Sequence, residues 1–145
     1  LSRGAAAKII VSLLLGSDAV KSLPVTESPY PDVPDTHTFS AVISRCKASG
    51  IISGYDDGSF RPGGSLTGYA FAKMLLGALG YDSVTEGFTG EGWTQNVARV
   101  GKNAGLFRDV DFAGNAAINR QTACQLALNA LKAFRVEYSS KTPPA

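Results

Sequence analysis

The sequence predicts an all-α fold made of repeated helix–loop–helix units. Apolar residues recur at the three- and four-residue spacing of amphipathic helices, and glycine-rich segments separate these patterns. Residues 47–52 are similar to residues 102–107, and residues 66–73 are similar to 118–125 and to 1–8. The first half of a unit is therefore visible twice, and the second half is visible three times.

The second unit shows the complete pattern. Its first helix is predicted to bury Phe39, Val42, Ile43 and Cys46. Gly50 is placed to end that helix in a left-handed conformation, and residues 54–64 are dense in turn-forming residues. Thr67 is the expected N-cap of the second helix, which Gly80 ends.

The other two units match this pattern only in part. The third unit is expected to bury Trp93, Val97, Val100 and Ala104 on its first helix. Asn119 caps its second helix, where Asn129 is a polar residue on an otherwise apolar face. The first unit holds only a second helix, capped by Ser2, with an inner face predicted to contain Ile9, Ile10, Leu13 and Leu14.

Composition excludes several classes of function. The 145 residues carry a formal net charge of +2, and the basic residues are scattered, which argues against a nucleic acid partner. No apolar run approaches the roughly 20 residues that a membrane span needs. With His37 as the single histidine, a cysteine–histidine zinc site lacks ligands, and we predict no cofactor. Cys46 and Cys124 are expected to be buried free thiols, with a disulfide as the alternative.

The order of motifs resembles the S-layer homology family. Tyr-Pro-Asp-Val-Pro-Asp at residues 30–35, Gly-Tyr-Asp-Asp-Gly-Ser-Phe-Arg-Pro at residues 54–62 and Leu66-Thr67 are similar to one full module. The third unit is similar to a degenerate module, because residues 108–117 lack the Gly-Tyr-Asp-Asp-Gly signature. The resemblance implies the second half of a first module at 1–23, a second module at 24–82, a third, degenerate module at 83–136, and a linker or tail at 137–145.

The resemblance also implies an architecture and a function. Such modules pack around a pseudo-threefold axis as a helical bundle, with ligand grooves between neighbouring modules. They anchor secreted proteins non-covalently at the cell surface by binding secondary cell-wall polysaccharide, commonly pyruvylated. The expected location is therefore extracellular, in the cell wall or S-layer, and the expected activity is binding rather than catalysis.

The family's Thr-Arg-Ala-Glu motif supplies the candidate ligand contacts. Its arginine corresponds to Arg3 and Arg120, whereas Gly68 stands at that position in the second unit. A guanidinium near a helix N-terminus suits a carboxylate, since it offers a planar fork beside unpaired N–H groups. The alternative role of each arginine is a surface charge or a brace between modules.

Four further residues complete the predicted glycan site. They are Trp93, Tyr55, Asp57 and Gly58. Either aromatic ring could stack on a sugar or belong to the core, and residues 56–58 suit a tight turn better than a calcium loop.

Two other functions compete with anchoring. The losses at Gly68 and in the third loop favour a divergent spacer or oligomerisation unit with little affinity for glycan. A wall hydrolase would need paired carboxylates, but the acidic residues mostly fall in turns and connectors. We therefore predict no enzyme activity in this chain.

The incomplete first unit raises the question of what covers its helix. The chain starts without a methionine or signal peptide, so we expect an excised piece of a longer protein. The helix beginning near Ser2 would then be covered by neighbouring modules or by a second chain, or would expose an apolar patch. Coverage by a second chain predicts a homodimer.

Overall fold

The structure, a computed structural model, describes residues 1–24 and 27–141, with side chains described as far as Ala133. Within those ranges the chain forms six α-helices and no β-strand. The all-α prediction is therefore confirmed. The helices are α1 (Arg3–Leu15), α2 (Ser17–Lys21), α3 (Ser40–Ala48), α4 (Gly68–Ala78), α5 (Trp93–Asn103) and α6 (Arg120–Lys141).

The chain divides into two compact units, Leu1–Leu66 and Thr67–Ala145, as judged from its described residues. In the first unit α1 packs against α2 and α3, and in the second unit α4 packs against α5 and α6. The division falls between the loop and the second helix of the predicted second module. Each unit therefore combines the second helix of one repeat with the first helix and loop of the next. The predicted module boundaries and the threefold packing stay predictions.

The second helices of the three repeats begin with the same cap. The side-chain oxygen of Ser2 accepts a hydrogen bond from the Ala5 amide at 3.1 Å. Thr67 does the same for Ala70 at 3.2 Å, and Asn119 does so for Thr122 at 2.7 Å. Each cap pairs an amide that the helix itself leaves unpaired. The three predicted N-caps are confirmed.

The same backbone contacts join a loop to the start of a helix in both units. In the first unit the amides of Arg3 and Gly4 each donate to loop carbonyls, those of Gly64 and Pro62, at 2.9 Å. In the second unit the amides of Gly68 and Tyr69 donate to the carbonyls of Ala116 and Gly114, at 3.0 and 2.8 Å. Arg3 and Gly68 therefore occupy equivalent positions, as the sequence repeat predicts.

The inner face of α1 differs in part from the prediction. Ala6, Ala7, Ile10 and Val11 are fully buried, whereas Leu14 is 43% exposed. Phe39 lies against Gly4, and the Cys46 thiol lies 3.9 Å from the Ala7 carbonyl. Cys46, near the end of α3, therefore lies beside only the second turn of α1. Since α3 ends at Ala48, the last turn of α1 extends beyond the end of α3. The inward placement of Leu14 was wrong, and α1 is covered by another helix of its own unit.

Helices α3 and α4 end at the glycines predicted to stop them, but α6 continues beyond its predicted end. Gly50 and Gly80 follow α3 and α4 with φ of 74° and 102°, values that glycine adopts without strain. Helix α6 continues to Lys141, through five residues assigned to the tail from the sequence. Residues 142–145 of that tail lie outside the described residues.

Asn129 has a structural role that its sequence position did not reveal. Its side chain is 5% exposed, and its amide nitrogen donates to the carbonyls of Leu106 at 2.8 Å and Arg108 at 2.9 Å. Gln125 donates to the amide oxygen of Asn129 at 3.2 Å. The polar residue on the apolar face of α6 therefore fixes the loop that follows α5.

The two cysteines are free and differ in environment. Cys46 is buried, as predicted, and burial raises the pKa of its thiol to about 12. Cys124 is exposed, so its predicted burial was wrong. We expect only Cys124 to react with a thiol reagent at pH 8, because the thiolate is the nucleophile and Cys46 is both inaccessible and protonated. Mass spectrometry should show one label, and none in Cys124→Ser. Rapid double labelling of the folded chain would contradict this.

None of the helices among residues 1–24 and 27–141 is long and apolar enough to cross a membrane.

Candidate binding site

The loop at residues 53–62 is held by Asp32 of the Tyr-Pro-Asp segment. The Asp32 carboxylate accepts hydrogen bonds from the backbone amides of Phe60 at 2.9 Å and Arg61 at 2.7 Å. The bond from Phe60, which has the largest effect, and the bond from Arg61 lower the pKa of Asp32 below its ordinary value. Tyr30 stacks on Phe60 with ring centroids 5.1 Å apart. Asp32, one of the acidic residues expected in turns and connectors, therefore positions the loop.

Arg3 reaches from the start of α1 into this loop. Its Nε donates to the Phe60 carbonyl at 2.9 Å, and its Nη2 donates to the Ser53 carbonyl at 3.2 Å. The guanidinium carbon lies 4.6 Å from the centre of the Phe60 ring and 4.9 Å from that of Tyr55. Arg3 thus braces helix and loop within one unit, and these two bonds use two of its five N–H groups.

Tyr55 lies beside a second guanidinium, that of Arg61, whose carbon is 3.9 Å from the ring centre. Tyr55 is 40% exposed, so part of the residue remains open to solvent beside two cationic groups. Arg61 also pairs with Asp57 at 3.2 Å, and its backbone φ is +59°, uncommon for a residue other than glycine. The fixed loop therefore presents an aromatic ring together with two arginines.

Asp57 and Gly58 shape the tip of the loop. The Asp57 carboxylate accepts from the Ser59 amide at 2.9 Å and from its hydroxyl at 2.6 Å. The Gly58 amide donates to the Tyr55 carbonyl at 2.9 Å, and its φ is +87°. These contacts form a tight turn, as predicted for residues 56–58.

The bonds to Asp57 predict a pH-dependent loop. The hydroxyl and amide of Ser59, then Arg61, lower the pKa of Asp57 from 3.8 to about 2. Since the folded loop favours the ionised form, this stabilisation is present above the ordinary pKa and is lost as pH falls through the lowered one. An NMR titration should show the Ser59 amide resonance moving with a midpoint near pH 2, and Asp57→Asn should abolish that transition. A midpoint at or above 3.8 would show that these bonds do not form in solution.

The equivalent place in the second unit is filled by aromatic rings. A Cβ added at Gly68 would lie 2.7 Å from Cε2 of Phe112, so the ring packs where an arginine stem would begin. Phe112 stacks on Phe107 at 4.4 Å and meets Tyr69 edge to face at 5.5 Å. The glycine that replaces the family's arginine is therefore matched by apolar packing.

The structure brings together four of the six predicted contacts. Arg3, Tyr55, Asp57 and Gly58 lie within the first unit. Arg120 is exposed at the start of α6, and its side chain forms no hydrogen bond or ion pair with any described residue. Trp93 is partly buried at the start of α5, with the Lys73 ammonium 5.5 Å from its ring centre. These two residues belong to the second unit.

Sequence reasoning missed Arg61 as a member of the cluster. Asp57 stands four residues before Arg61, and such a pair in a turn-rich loop was a signal that the two side chains could meet. Its contact with Tyr55 was harder to predict, because Arg61 adopts a positive φ, which is uncommon for a residue other than glycine.

Comparison with known proteins identifies the class of domain. Residues 29–72 match the family model of the S-layer homology domain. Over 72 residues, 50% of this chain, the sequence is 36% identical to Cell surface glycoprotein 1 of Acetivibrio thermocellus. The chain spans 3% of that relative's length. Residues 29–72 therefore resemble an S-layer homology domain, a family of non-catalytic modules that anchor proteins to the cell wall. The matched range includes the loop that carries Tyr55, Asp57 and Arg61.

Proposed function

We propose that this chain anchors a surface protein by binding a carboxylate-bearing cell-wall polysaccharide at the cluster of Arg3, Tyr55 and Arg61. The observation that carries the proposal is the pair of guanidinium groups beside a partly exposed tyrosine. Planar cations suit a carboxylate such as a pyruvyl ketal, and an aromatic ring suits the face of a sugar. The name of the relative, a cell surface glycoprotein, supports location outside the cell.

The test is sedimentation of the chain with purified cell-wall sacculi, before and after removal of their secondary polysaccharide. We expect binding that is lost with the polysaccharide and about tenfold weaker binding for Tyr55→Ala or Arg61→Ala, since the first removes a stacking contact and the second a charge-assisted one. Lys21→Ala, an exposed change on α2 of the same unit, is the matched control. Arg120→Ala tests the second predicted arginine separately.

A structural spacer is the second candidate, and the packing of Phe112 over Gly68 favours it for the second unit. The same experiment distinguishes the two functions. A folded chain that sediments with neither form of the sacculi supports the spacer. Binding that persists in Tyr55→Ala and Arg61→Ala overturns the proposed site while leaving anchoring in place.

A further inference from the structure

One side of α6 is open to solvent although it is partly apolar. Gln121, Cys124, Leu128 and Leu131 follow one another at intervals of three and four residues, so they share one side of the helix, which we call the outer face of α6. All four are exposed, Leu128 by 45% and Leu131 by 38%. Single exposed leucines are ordinary in folded proteins, so the meaning of this face depends on its equivalents in the other repeats.

The equivalent side of α1 is covered by α3. The sequence repeat matches the outer face of α6 to four residues of α1, namely Gly4, Ala7, Val11 and Leu14. All of these except Leu14 are buried. Phe39, just before α3, lies against Gly4, and the Cys46 thiol of α3 lies 3.9 Å from the Ala7 carbonyl. In the first unit this side of the helix is therefore a contact surface for the helix that follows.

The equivalent side of α4 is covered in the same way. Its four matching residues are Tyr69, Ala72, Leu76 and Leu79. Ala72 and Leu76 are fully buried. Helix α5 packs against α4, and the Tyr69 ring lies against Gly114 in the loop that follows α5. Each of the first two repeats thus covers this side with the helix and loop that come next along the chain.

The start of α6 also carries donors that match a loop. In the other two repeats the first two amides of the equivalent helix donate to loop carbonyls. Of the described residues outside α6, none offers a carbonyl to the equivalent amides of Arg120 and Gln121. Within the same described ranges, the Arg120 side chain has no counterpart of the carbonyls of Ser53 and Phe60 that pair with Arg3. The first amides of a helix have no acceptor within it, so a docked loop would pair them.

A helix–loop segment suits the outer face of α6 better than a second copy of the chain does. In the two covered repeats the occupant is a helix of 9 or 11 residues followed by a loop. Both of these segments already cover α1 and α4, so a folded second copy has none to offer. A stable interface between proteins buries about 800 Å² of each partner, which two leucines and a cysteine do not supply. A segment of the same polypeptide needs less, because its effective concentration is high.

We propose that the outer face of α6 docks one further helix–loop segment of the repeat type, supplied by the same polypeptide outside residues 1–145. The helix of that segment lies along Cys124, Leu128 and Leu131, as α3 lies along α1. Carbonyls of its loop accept from the amides of Arg120 and Gln121 and from the Arg120 guanidinium. Arg120 then braces the docked loop, as Arg3 braces the loop of the first unit.

The test extends the full chain after Ala145 by a glycine–serine linker of about 20 residues and a second copy of residues 27–66, because such a linker is flexible and reaches roughly 25 Å. The copy carries Cys46→Ala, so that Cys124 remains the accessible thiol. We expect a thiol reagent to label Cys124 at least about tenfold more slowly in the extended chain, since the segment must detach before the reagent can reach it. Equally fast labelling would overturn the proposal.

Variants connect this protection to the outer face of α6. Leu128→Asp should leave the urea midpoint of the unextended chain unchanged, because the side chain is already exposed, and should restore fast labelling in the extended chain. Gln95→Asp, an exposed change on α5, should not restore it. Val42→Ser with Ile43→Ser in the added copy alone should abolish protection, because the copy then lacks an apolar face.

Two further results would overturn the proposal. Protection that persists in Leu128→Asp would place the segment elsewhere. Light scattering that shows a dimer of the unextended chain, with Cys124 protected, would assign the outer face of α6 to a second copy.

Discussion

Arg3→Ala is expected to lower the free energy of unfolding of the first unit by about 2 kcal/mol. The change removes two hydrogen bonds to loop carbonyls, at 2.9 and 3.2 Å, and the cationic partner of Tyr55 and Phe60. It also frees the loop that carries Arg61, so binding to sacculi should fall by about tenfold or more. Urea unfolding followed by circular dichroism, together with sedimentation, measures both effects.

Arg3→Lys distinguishes charge from geometry. Lysine keeps the charge but has no planar fork, so we expect it to recover part of the stability and little of the binding. Lys8→Ala, an exposed change on the same helix, is the matched control. A fully stable Arg3→Ala chain would mean that Arg3 does not stabilise the contact between α1 and the loop. A destabilised chain that still binds sacculi would remove Arg3 from the proposed site.

The helix boundaries could be predicted because they depend on local chemistry. A cap needs only a side-chain oxygen two or three residues before an unpaired amide, and Ser2, Thr67 and Asn119 each stand at that spacing. A helix stop needs only a residue that tolerates positive φ, as Gly50 does. Such features depend on sequence alone, so the repeat reveals them.

The composition of the compact units could not be predicted in the same way. The repeat divides the sequence into modules, but the structure divides between Leu66 and Thr67, within one of them. Contacts of Arg3 with Ser53 and Phe60 span 50 and 57 residues of chain, and no local pattern specifies such partners. The burial of Leu14 was mispredicted for a related reason, because helical periodicity does not show where the neighbouring helix ends.

The repeated backbone contacts explain how one architecture accepts two different chemistries. Arg3 and Gly68 donate the same backbone hydrogen bond to equivalent loops. In the first unit a guanidinium lies beside Phe60, whereas in the second Phe112 packs directly over Gly68. The backbone bonds between loop and helix are therefore retained. The residue beside the phenylalanine of the loop changes from a cationic arginine to an apolar glycine. The difference between Arg3 and Gly68 is therefore a difference of side chain on an equivalent backbone.

Asn129→Ala is expected to lower the free energy of unfolding of the second unit by about 3 kcal/mol, since it leaves two loop carbonyls without their donor. The side chain is 5% exposed, so water has little access to replace the lost bonds. Trp93, the single tryptophan, lies in this unit and reports its unfolding by fluorescence. The urea midpoint should fall while the slope of the transition stays unchanged.

Gln125→Ala is the matched control for Asn129, because it removes the donor to the Asn129 oxygen and leaves both loop carbonyls paired. We expect it to cost about 1 kcal/mol or less. Equal effects of the two substitutions would show that the Gln125 contact, and not the two loop carbonyls, accounts for the stabilisation.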